Sequence, residues 1–456
     1  MVYYRKVAPP PASECINTPF NGSLNLATGT PYSFAKITAV SYAKTNMPGT
    51  FGDVKYKGDD NYKQGSTCYF NPNHINDTCD GRINNLIYDV YYPSNYNNYA
   101  TCPLPAVILF HAGGFMECSN YSQPGIRIVC EELAKRGYVA FSVEYRGGRI
   151  KEPPPSDNTS VQQQLAVYRA CQDARGAIRS IIKRQNNETT GDNWQDPYRI
   201  DINSIFVGGF SAGGVAAMSA AWYTNNKVYQ VFQGGTGSAS IQDALTSINA
   251  DFYYGEPTIP YQANIKGTAN MWGAISIPYS FDINEETFFN SNLLKPHIAF
   301  HGKLDDVFPY PDGSAQFVNF SPTPLSGPNV YNSEDFCIRT TNGSYFLEGN
   351  SNTVDLINGS SLNMRNILNF YGISNELYVD CDMKHGLSSN GQFLGDFGTT
   401  ATTQNQASVY IAQRMATFFQ AVLSGNAGNI GTDYFPNCPN TRSGCPAKTT
   451  TCTDCN

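Results

Sequence analysis

The sequence predicts an α/β protein whose mostly parallel central sheet has helices on both faces, and three observations predict it. Apolar runs of strand length alternate along the chain with segments of helical periodicity, as expected for strand–helix–strand units. Several of the strand-like runs lead directly into motifs of glycine and polar residues. With 456 residues, of which 41% are hydrophobic, the chain can also bury a large core.

The individual elements follow in chain order. Leu86, Tyr88, Val90 and Tyr92 occupy every second position, which predicts one face of a strand. The later predicted strands, each a short and mostly apolar run, are 105–110, 138–143, 204–207, 271–276, 296–300 and 376–380. The predicted helices are 126–136, 161–184, 215–222 and 407–423, of which the last is amphipathic and closes the domain.

The chain is predicted to contain one α/β domain, residues 83–424, with additions at both ends. Residues 1–82 are rich in Pro, Gly, Asn, Tyr and Lys and have weak periodicity, which predicts an irregular segment packed on the domain. Two predicted insertions, 225–279 and 318–354, are candidates for a lid or a pocket wall. Residues 425–456 form a cysteine-containing tail.

A nucleophile motif stands between the predicted strand 204–207 and the predicted helix after it. The stretch from residue 208 to residue 214 reads G-G-F-S-A-G-G, and G-x-S-x-G between a strand and a helix is typical of a sharp turn that exposes its serine. Gly209 and Gly213 suit such a turn, because a β-carbon there would clash with the neighbouring strand or helix. The turn places Ser211 at a helix N-terminus, which favours negative charge.

A second glycine motif follows the predicted strand 105–110. It reads H-A-G-G-F from His111 and resembles the HGGG-type loop of esterases and lipases, with Ala112 where the usual loop has glycine. Such a loop supplies backbone N–H donors to a tetrahedral oxyanion, so Gly113 and Gly114 are predicted donors, with the Ala212 N–H as the third.

The third motif begins at His301 and reads H-G-K-L-D-D-V-F-P, after the predicted strand 296–300. It resembles the H-G-x-x-D-x-x-x-P segment that carries the acid of the catalytic triad in α/β-hydrolases. The spacing of that segment favours Asp305 as the acid. Asp306 stays open as the alternative, and if Asp305 is the acid, Asp306 more often caps a short helix or turn.

The remaining triad member is predicted to be His385, which lies just past the predicted strand 376–380. The chain has only five histidines. His111 and His301 belong to the other motifs, His297 begins a predicted strand, and His74 lies in a polar N-terminal loop. The resulting order of Ser, Asp and His along the chain is the order of α/β-hydrolases.

From about residue 83 to about residue 424 the chain therefore resembles a secreted α/β-hydrolase of the carboxylesterase and lipase group, some of whose members act on acetylated or feruloylated plant polysaccharide. The segments V-E-Y-R from Val143 and Q-D-A-R from Gln172 look like supporting segments of that group. The resemblance implies a serine carboxylic-ester hydrolase that acts through an acyl-enzyme on small or aromatic esters, with a small-molecule or polymer-linked ester as its partner and no cofactor or metal.

Two other functions compete with this interpretation. A serine peptidase of the same superfamily is one alternative, although such enzymes usually carry a large N-terminal propeller and only residues 1–82 precede the predicted domain. A non-catalytic binding protein on a hydrolase scaffold is the other, although such proteins usually lose a triad residue and none is missing here.

Composition excludes other classes of function. The net charge is −7, only 15% of the residues are charged, and the sequence has no basic cluster, so no nucleic-acid partner is predicted. No apolar run approaches the roughly 20 residues that span a bilayer, so no membrane span is predicted. The sequence does not determine the oligomeric state.

Thirteen cysteines predict an oxidising compartment and disulfides. A zinc site formed by Cys452 and Cys455 with Cys438 and Cys445 is the weaker alternative for the tail. The first six residues have no apolar stretch behind them, so the expected form is a mature secreted protein without a signal peptide. Eight N-x-S/T sequences permit glycosylation; they begin at Asn21, Asn76, Asn120, Asn158, Asn187, Asn319, Asn342 and Asn358.

Overall fold

The structure is a computed structural model. The residues it describes are 32–44, 85–96, 102–115, 124–145, 159–185, 196–223, 261–275, 291–302, 305, 308, 360–380, 385–387, 401–427 and 431–434. The strands are β1 (Phe34–Lys44), β2 (Asn85–Pro93), β3 (Leu104–Phe110), β4 (Val139–Val143), β5 (Ile200–Phe210), β6 (Ile265–Met271), β7 (His297–Gly302), β8 (Asn375–Asp380) and β9 (Gly431–Tyr434). The helices are α1 (Pro124–Lys135), α2 (Thr159–Gln185), α3 (Ala212–Trp222), α4 (Ser361–Phe370) and α5 (Ala401–Leu423), and 3-10 turns span Gln262–Asn264 and His385–Leu387.

The described strands form a single nine-stranded sheet in the order β1-β2-β4-β3-β5-β6-β7-β8-β9. β1 and β2 pair antiparallel, as do β2 and β4, and every other pair is parallel. The predicted mostly parallel sheet is confirmed. Because the parallel strands run in the same direction, their carboxyl ends lie on the same side of the molecule. The loops after β3, β5, β7 and β8 therefore all emerge on that side.

Helices cover both faces of the sheet, as predicted. One layer of the core is formed with α2, α3 and α4, and the other with α1 and α5. The central strand β3 is buried at all seven positions, which explains its continuous apolar run. On the α5 side, the ring of Phe419 stacks on Phe206 of β5 at a centroid distance of 4.0 Å. Full burial of such a side chain contributes about 1.5–3 kcal/mol, so this contact holds the last helix against the sheet.

The predicted strand at 271–276 is wrong, because the strand in this region is β6 and ends at Met271. Its sequence, I-K-G-T-A-N-M, lacks a continuous apolar run, yet all but one of its residues are buried. Thr268 is tolerated in the core because its hydroxyl lies 2.8 Å from His297 Nδ1, on the neighbouring strand. Trp272 has a φ of 42° and leaves the strand. The predicted insertion 225–279 therefore contains a central strand of the sheet.

The sheet also extends beyond the predicted domain limits. β1 falls within the segment 1–82, which is predicted to be irregular, and forms one edge of the sheet. β9 falls within the tail 425–456 and forms the other edge. The remainder of both terminal segments and the insertion 318–354 lie outside the described residues, and the domain limits stay a prediction.

His297 begins β7 and is a core histidine. Its side chain is buried, and the indole of Trp222 packs against it edge-on at a centroid distance of 5.3 Å. Its Nε2 has no hydrogen-bond partner among the described residues. Burial lowers the pKa of His297 from 6.5 to about 3, because the charged imidazole would lose its hydration there.

We expect His297 to lower the free energy of unfolding in acid. Between pH 6.5 and about pH 3 the unfolded chain holds a proton on the imidazole and the folded chain does not, so the free energy of unfolding falls as the pH falls through this window. The His297→Asn variant has no group that titrates at this position. Between about pH 8 and about pH 4.5 its free energy of unfolding should therefore fall less than that of the original protein, by a few kcal/mol. Urea unfolding at both pH values measures it. The same pH dependence in both proteins would contradict the prediction.

Candidate active site

The turn between β5 and α3 holds Ser211 in a strained conformation. Its φ of 52° and ψ of −120° lie in a region that side chains rarely adopt, at a cost of about 1–3 kcal/mol. The surrounding backbone enforces it. Ser211 N–H donates to the carbonyl of Met271 at 2.9 Å, and the Ser211 carbonyl accepts from the N–H groups of Gly214 at 2.8 Å and Val215 at 3.2 Å.

The predicted crowding around the turn is confirmed at two glycines. A β-carbon on Gly209 would overlap the backbone of Gly213. A β-carbon on Gly213 would overlap the carbonyl oxygens of Phe110 and His111. All of these are main-chain atoms that cannot move aside cheaply. The start of α3 therefore packs directly against the beginning of the H-A-G-G-F loop. The predicted role of this loop as an N–H donor requires that it lie close to Ser211.

The structure brings Ser211, His385 and Asp305 together from loops that follow three different strands. Ser211 Oγ lies 2.8 Å from His385 Nε2. His385 Nδ1 lies 2.8 Å from Asp305 Oδ2 and 3.0 Å from Oδ1. All three side chains are buried. Because a carboxylate can only accept, the imidazole carries its hydrogen on Nδ1, and its Nε2 is free to accept the serine proton.

Asp305 sits among several donors. Oδ1 accepts the Phe308 N–H at 2.8 Å, and Oδ2 also lies 3.2 Å from His301 Nε2. Burial by itself raises the pKa of Asp305, but the electrostatic interaction with His385 and the hydrogen bonds from His301 and His385 outweigh it and hold the pKa well below its usual range. The carboxylate is therefore ionised at neutral pH. The Phe308 ring packs on the His385 ring at a centroid distance of 5.6 Å, whereas Asp306 lies outside the described residues.

The H-A-G-G-F loop has an unusual backbone. Gly113, Gly114 and Phe115 have successive φ values of 139°, 61° and 61°. Only glycine adopts such angles freely, and Phe115 is held there by complete burial of its side chain. Ala212 is the first residue of α3, so no carbonyl of the helix lies in position to accept its N–H. The donor roles of Gly113, Gly114 and Ala212 stay a prediction.

Tyr145, which follows β4, braces this loop. Its hydroxyl donates to the His111 carbonyl at 2.7 Å, and its ring stacks on the His111 imidazole at a centroid distance of 4.3 Å and an angle of 13°. The ring of Phe115 packs against Tyr145 from another side, at 6.2 Å. The V-E-Y-R segment thus supports the loop through its tyrosine, while its arginine lies outside the described residues.

The BD-FAE family model matches residues 88–315, which is half of the chain. The chain belongs to the BD-FAE family. Members are esterase and feruloyl-esterase-like α/β-hydrolases, so this BD-FAE protein is a carboxylic-ester hydrolase with the α/β-hydrolase fold. The matched residues contain Ser211 and Asp305, and His385 lies beyond them.

Several solved structures are similar to this BD-FAE protein. They include a butyrate-bound esterase, Est2, from the Planctomycetes species Thermogutta terrifontis, with 17% identity and a TM-score of 0.39 over 76% of this chain and 92% of that chain. Esterase B from Lactobacillus rhamnosis has 13% identity and a TM-score of 0.38 over 91% and 94%. Carboxylesterase Cest-2923 from Lactobacillus plantarum WCFS1 has 12% identity and a TM-score of 0.37 over 75% and 94%. Likeness at this level carries no information about substrate. No curated protein matches the sequence.

Sequence reasoning missed part of the BD-FAE site. The Phe308 N–H and the side chains of Asn270 and Ser361 have no sequence signal, because their roles depend on contacts between distant segments. Tyr145 and His301 stood within motifs but had no assigned task.

No helix in the described part of the chain is long and apolar enough to cross a membrane. The described residues also contain no group of His, Cys, Asp and Glu that could hold a metal ion, and the four tail cysteines lie outside them.

Proposed function

We propose that the protein hydrolyses carboxylic esters through a covalent acyl-enzyme, with Ser211 as the nucleophile, His385 as the base and Asp305 as the orienting acid. The observation that carries the proposal is the continuous line of hydrogen bonds from Ser211 Oγ through the imidazole to the carboxylate, 2.8 Å at each step. Nucleophile, base and orienting group within such reach are the arrangement that activates a serine.

The chemistry follows from the positions of the protons. Ser211 Oγ attacks the acyl carbon while His385 Nε2 takes its proton, and the ester carbonyl oxygen becomes an oxyanion. Collapse of this intermediate expels the alcohol, which receives the proton from Nε2. Water then attacks the acyl-enzyme with the same imidazole as base, and Ser211 is released with the free acid. Throughout, ionised Asp305 stabilises the imidazolium and keeps its Nδ1–H in place.

The oxyanion is proposed to lie between the H-A-G-G-F loop and the start of α3, bound by the N–H groups of Gly113, Gly114 and Ala212. The close approach of Gly213 to the Phe110 and His111 carbonyls supports this position, because it puts the loop beside the nucleophile. Losing one such donor typically costs about 3 kcal/mol of transition-state stabilisation.

The proposed substrates are small or aromatic esters, free or attached to a polymer. Membership of a family of esterase and feruloyl-esterase-like enzymes supports this choice. A panel of p-nitrophenyl acetate, butyrate and octanoate, methyl ferulate and a peptide p-nitroanilide tests it. We expect turnover of acetate, butyrate or ferulate, with octanoate and the anilide poor. Preference for the anilide would indicate the peptidase alternative, and preference for octanoate would exclude small esters.

Labelling with a fluorophosphonate probe separates an enzyme from a binding protein on the same scaffold. An activated serine forms a covalent adduct, and peptide mapping should place it on Ser211. An intact, folded protein that is not labelled and turns over no ester would rule out the proposed function.

Tyr145→Phe should lower kcat for ester hydrolysis by about fivefold and leave KM nearly unchanged. The variant keeps the ring stacked on His111 but removes one hydrogen bond that positions the H-A-G-G-F loop. Loss of such a bond costs about 1 kcal/mol, and we expect it to weaken binding of the transition state more than binding of the substrate. Tyr138→Phe is the matched control, since it removes a buried tyrosine hydroxyl that donates to the Ala416 carbonyl at 3.0 Å, on α5. Equal effects of the two substitutions would contradict a role for Tyr145 in the loop.

We also propose that the protein is secreted, with disulfides and N-linked glycans. Thirteen cysteines support an oxidising compartment. The described cysteines Cys130 and Cys171 are buried free thiols, which fits packing rather than reactivity. The asparagines of all eight N-x-S/T sequences lie outside the described residues. Non-reducing peptide mapping and glycosidase treatment of protein made in a secretory host test both features, and a fully reduced, unglycosylated product would contradict them.

A further inference from the structure

A second buried histidine contacts the same carboxylate as the proposed base. His301 lies in β7, is completely buried, and has Nε2 at 2.7 Å from the Phe308 carbonyl and 3.2 Å from Asp305 Oδ2. A carbonyl oxygen can only accept, so this Nε2 carries the hydrogen and donates to both oxygens. In the tautomer with its hydrogen on Nε2, Nδ1 is an acceptor.

Nδ1 of His301 accepts the first of two successive hydrogen bonds, whose donors are Ser361 and Asn270 on two other elements. Ser361, at the start of α4, has its hydroxyl 2.8 Å from His301 Nδ1. The Ser361 oxygen in turn accepts from Asn270 Nδ2 of β6 at 3.0 Å. The Asn270 amide is held by Gly273, through Nδ2 to the Gly273 carbonyl at 3.0 Å and from the Gly273 N–H to Oδ1 at 3.1 Å. The hydrogen bonds from Asn270 to Ser361, from Ser361 to His301 and from His301 to Asp305 therefore all point in one direction.

The same network reaches the nucleophile from the other side. β6, which carries Asn270, pairs with both β5 and β7, and its last residue, Met271, accepts the Ser211 N–H at 2.9 Å. A β-carbon on Gly273 would lie 2.8 Å from the Ser211 carbonyl oxygen, so the network passes directly beside the strained turn. These hydrogen bonds thus connect the turn that contains Ser211 with the residues around Asp305.

We infer that His301 is a positioning residue for the proposed triad: its Nε2–H holds Oδ2 of Asp305, so that the carboxylate faces His385 in one orientation. The inference rests on the proposed function, in which Asp305 orients the base. With the Phe308 N–H on Oδ1 and two imidazoles on the carboxylate, rotation of the buried Asp305 side chain breaks several hydrogen bonds at once. His301 acts through Asp305 and does not touch substrate.

Paired substitutions test this role. His301→Asn puts an amide where Nδ1 stood, so it can still meet Ser361, but it has no donor that reaches Asp305. His301→Gln puts its amide nitrogen near the former Nε2 and restores that donor. The matched control is His297→Asn, because His297 is equally buried in β7 and its Nδ1 also contacts a hydroxyl, that of Thr268 at 2.8 Å.

At about pH 8, where His297 is neutral in folded and unfolded chains, we expect His301→Asn to lower kcat on the best ester of the panel by about 10- to 100-fold with KM nearly unchanged, as misplacement of a catalytic group does. His301→Gln should recover most of the loss, and His297→Asn should match the original protein. Rates are divided by the number of sites that a fluorophosphonate titrates, so that unfolded protein does not contribute. Equal losses in His301→Asn and His301→Gln, or no loss in either, would overturn the inference.

A spectroscopic readout keeps this test independent of ester turnover. The proton between His385 Nδ1 and Asp305 gives a far-downfield proton resonance when the carboxylate is correctly placed. His301→Asn should shift or broaden that resonance, and His297→Asn should leave it in place. An unchanged resonance in His301→Asn would overturn the inference even if the proposed esterase function fails, whereas absent turnover with a displaced resonance would count against the function alone.

Discussion

Ser211→Ala lowers kcat for ester hydrolysis by about 10⁶-fold, if Ser211 is the nucleophile that the geometry indicates. The effect is large because the acyl-enzyme route ends when the attacking oxygen is removed, and only binding and the oxyanion donors remain to accelerate direct attack by water. KM changes little, since the substrate still meets the same surface. Initial rates on the best ester of the panel measure the loss, and fluorophosphonate labelling should disappear with it.

The control for this substitution lies on β5, the strand that precedes Ser211. Ser204 stands near the beginning of β5, at the opposite end from Ser211, and its hydroxyl donates to Asp201 Oδ2 at 2.6 Å. Ser204→Ala removes a serine hydroxyl and one hydrogen bond without approaching the site, so activity should be retained. A Ser211→Ala protein that keeps more than a small fraction of the original kcat would refute the proposed mechanism.

Asp305→Asn should lower kcat by about 10⁴-fold. An asparagine keeps the shape of the side chain, but its amide can donate to His385 Nδ1, which favours the imidazole tautomer with hydrogen on Nε2. That tautomer cannot accept the proton of Ser211. The imidazolium that forms during attack also loses the negative charge that lies 2.8 Å from it in the original protein.

Asp306→Asn is the decisive companion to this variant, because sequence reasoning left the two neighbouring carboxylates as alternatives. The structure brings Asp305 to His385, and we expect Asp306→Asn, which leaves the proposed triad intact, to change kcat less than about threefold. The kcat of the two purified variants on one ester, each corrected for titrated sites, measures the difference. A larger loss in Asp306→Asn than in Asp305→Asn would reverse the assignment.

The parts of the fold that could be predicted are those with a local signal. β3, β4 and β5 are apolar because they are buried on both faces, and α2 and α5 carry an apolar side that faces the sheet. β6 has no such signal, because Thr268 and Asn270 are polar residues whose hydrogen-bond partners come from β7 and α4. β9 has only four residues, too few for a pattern, and pairs with β8 at the edge of the sheet.

The sequence by itself determined which residue types stand at the ends of the strands: a serine between glycines, a glycine loop after β3, an aspartate after β7 and a histidine after β8. These could be read because a sharp turn and a bare backbone demand particular residues locally. Only the tertiary structure decided that Ser211 and His385, 174 positions apart, meet at 2.8 Å, that His301 contacts Asp305, and that Tyr145 contacts the H-A-G-G-F loop. Contacts of this kind depend on how parallel strands order themselves in the sheet, and that order is set by burial and pairing across the whole molecule rather than by any one segment.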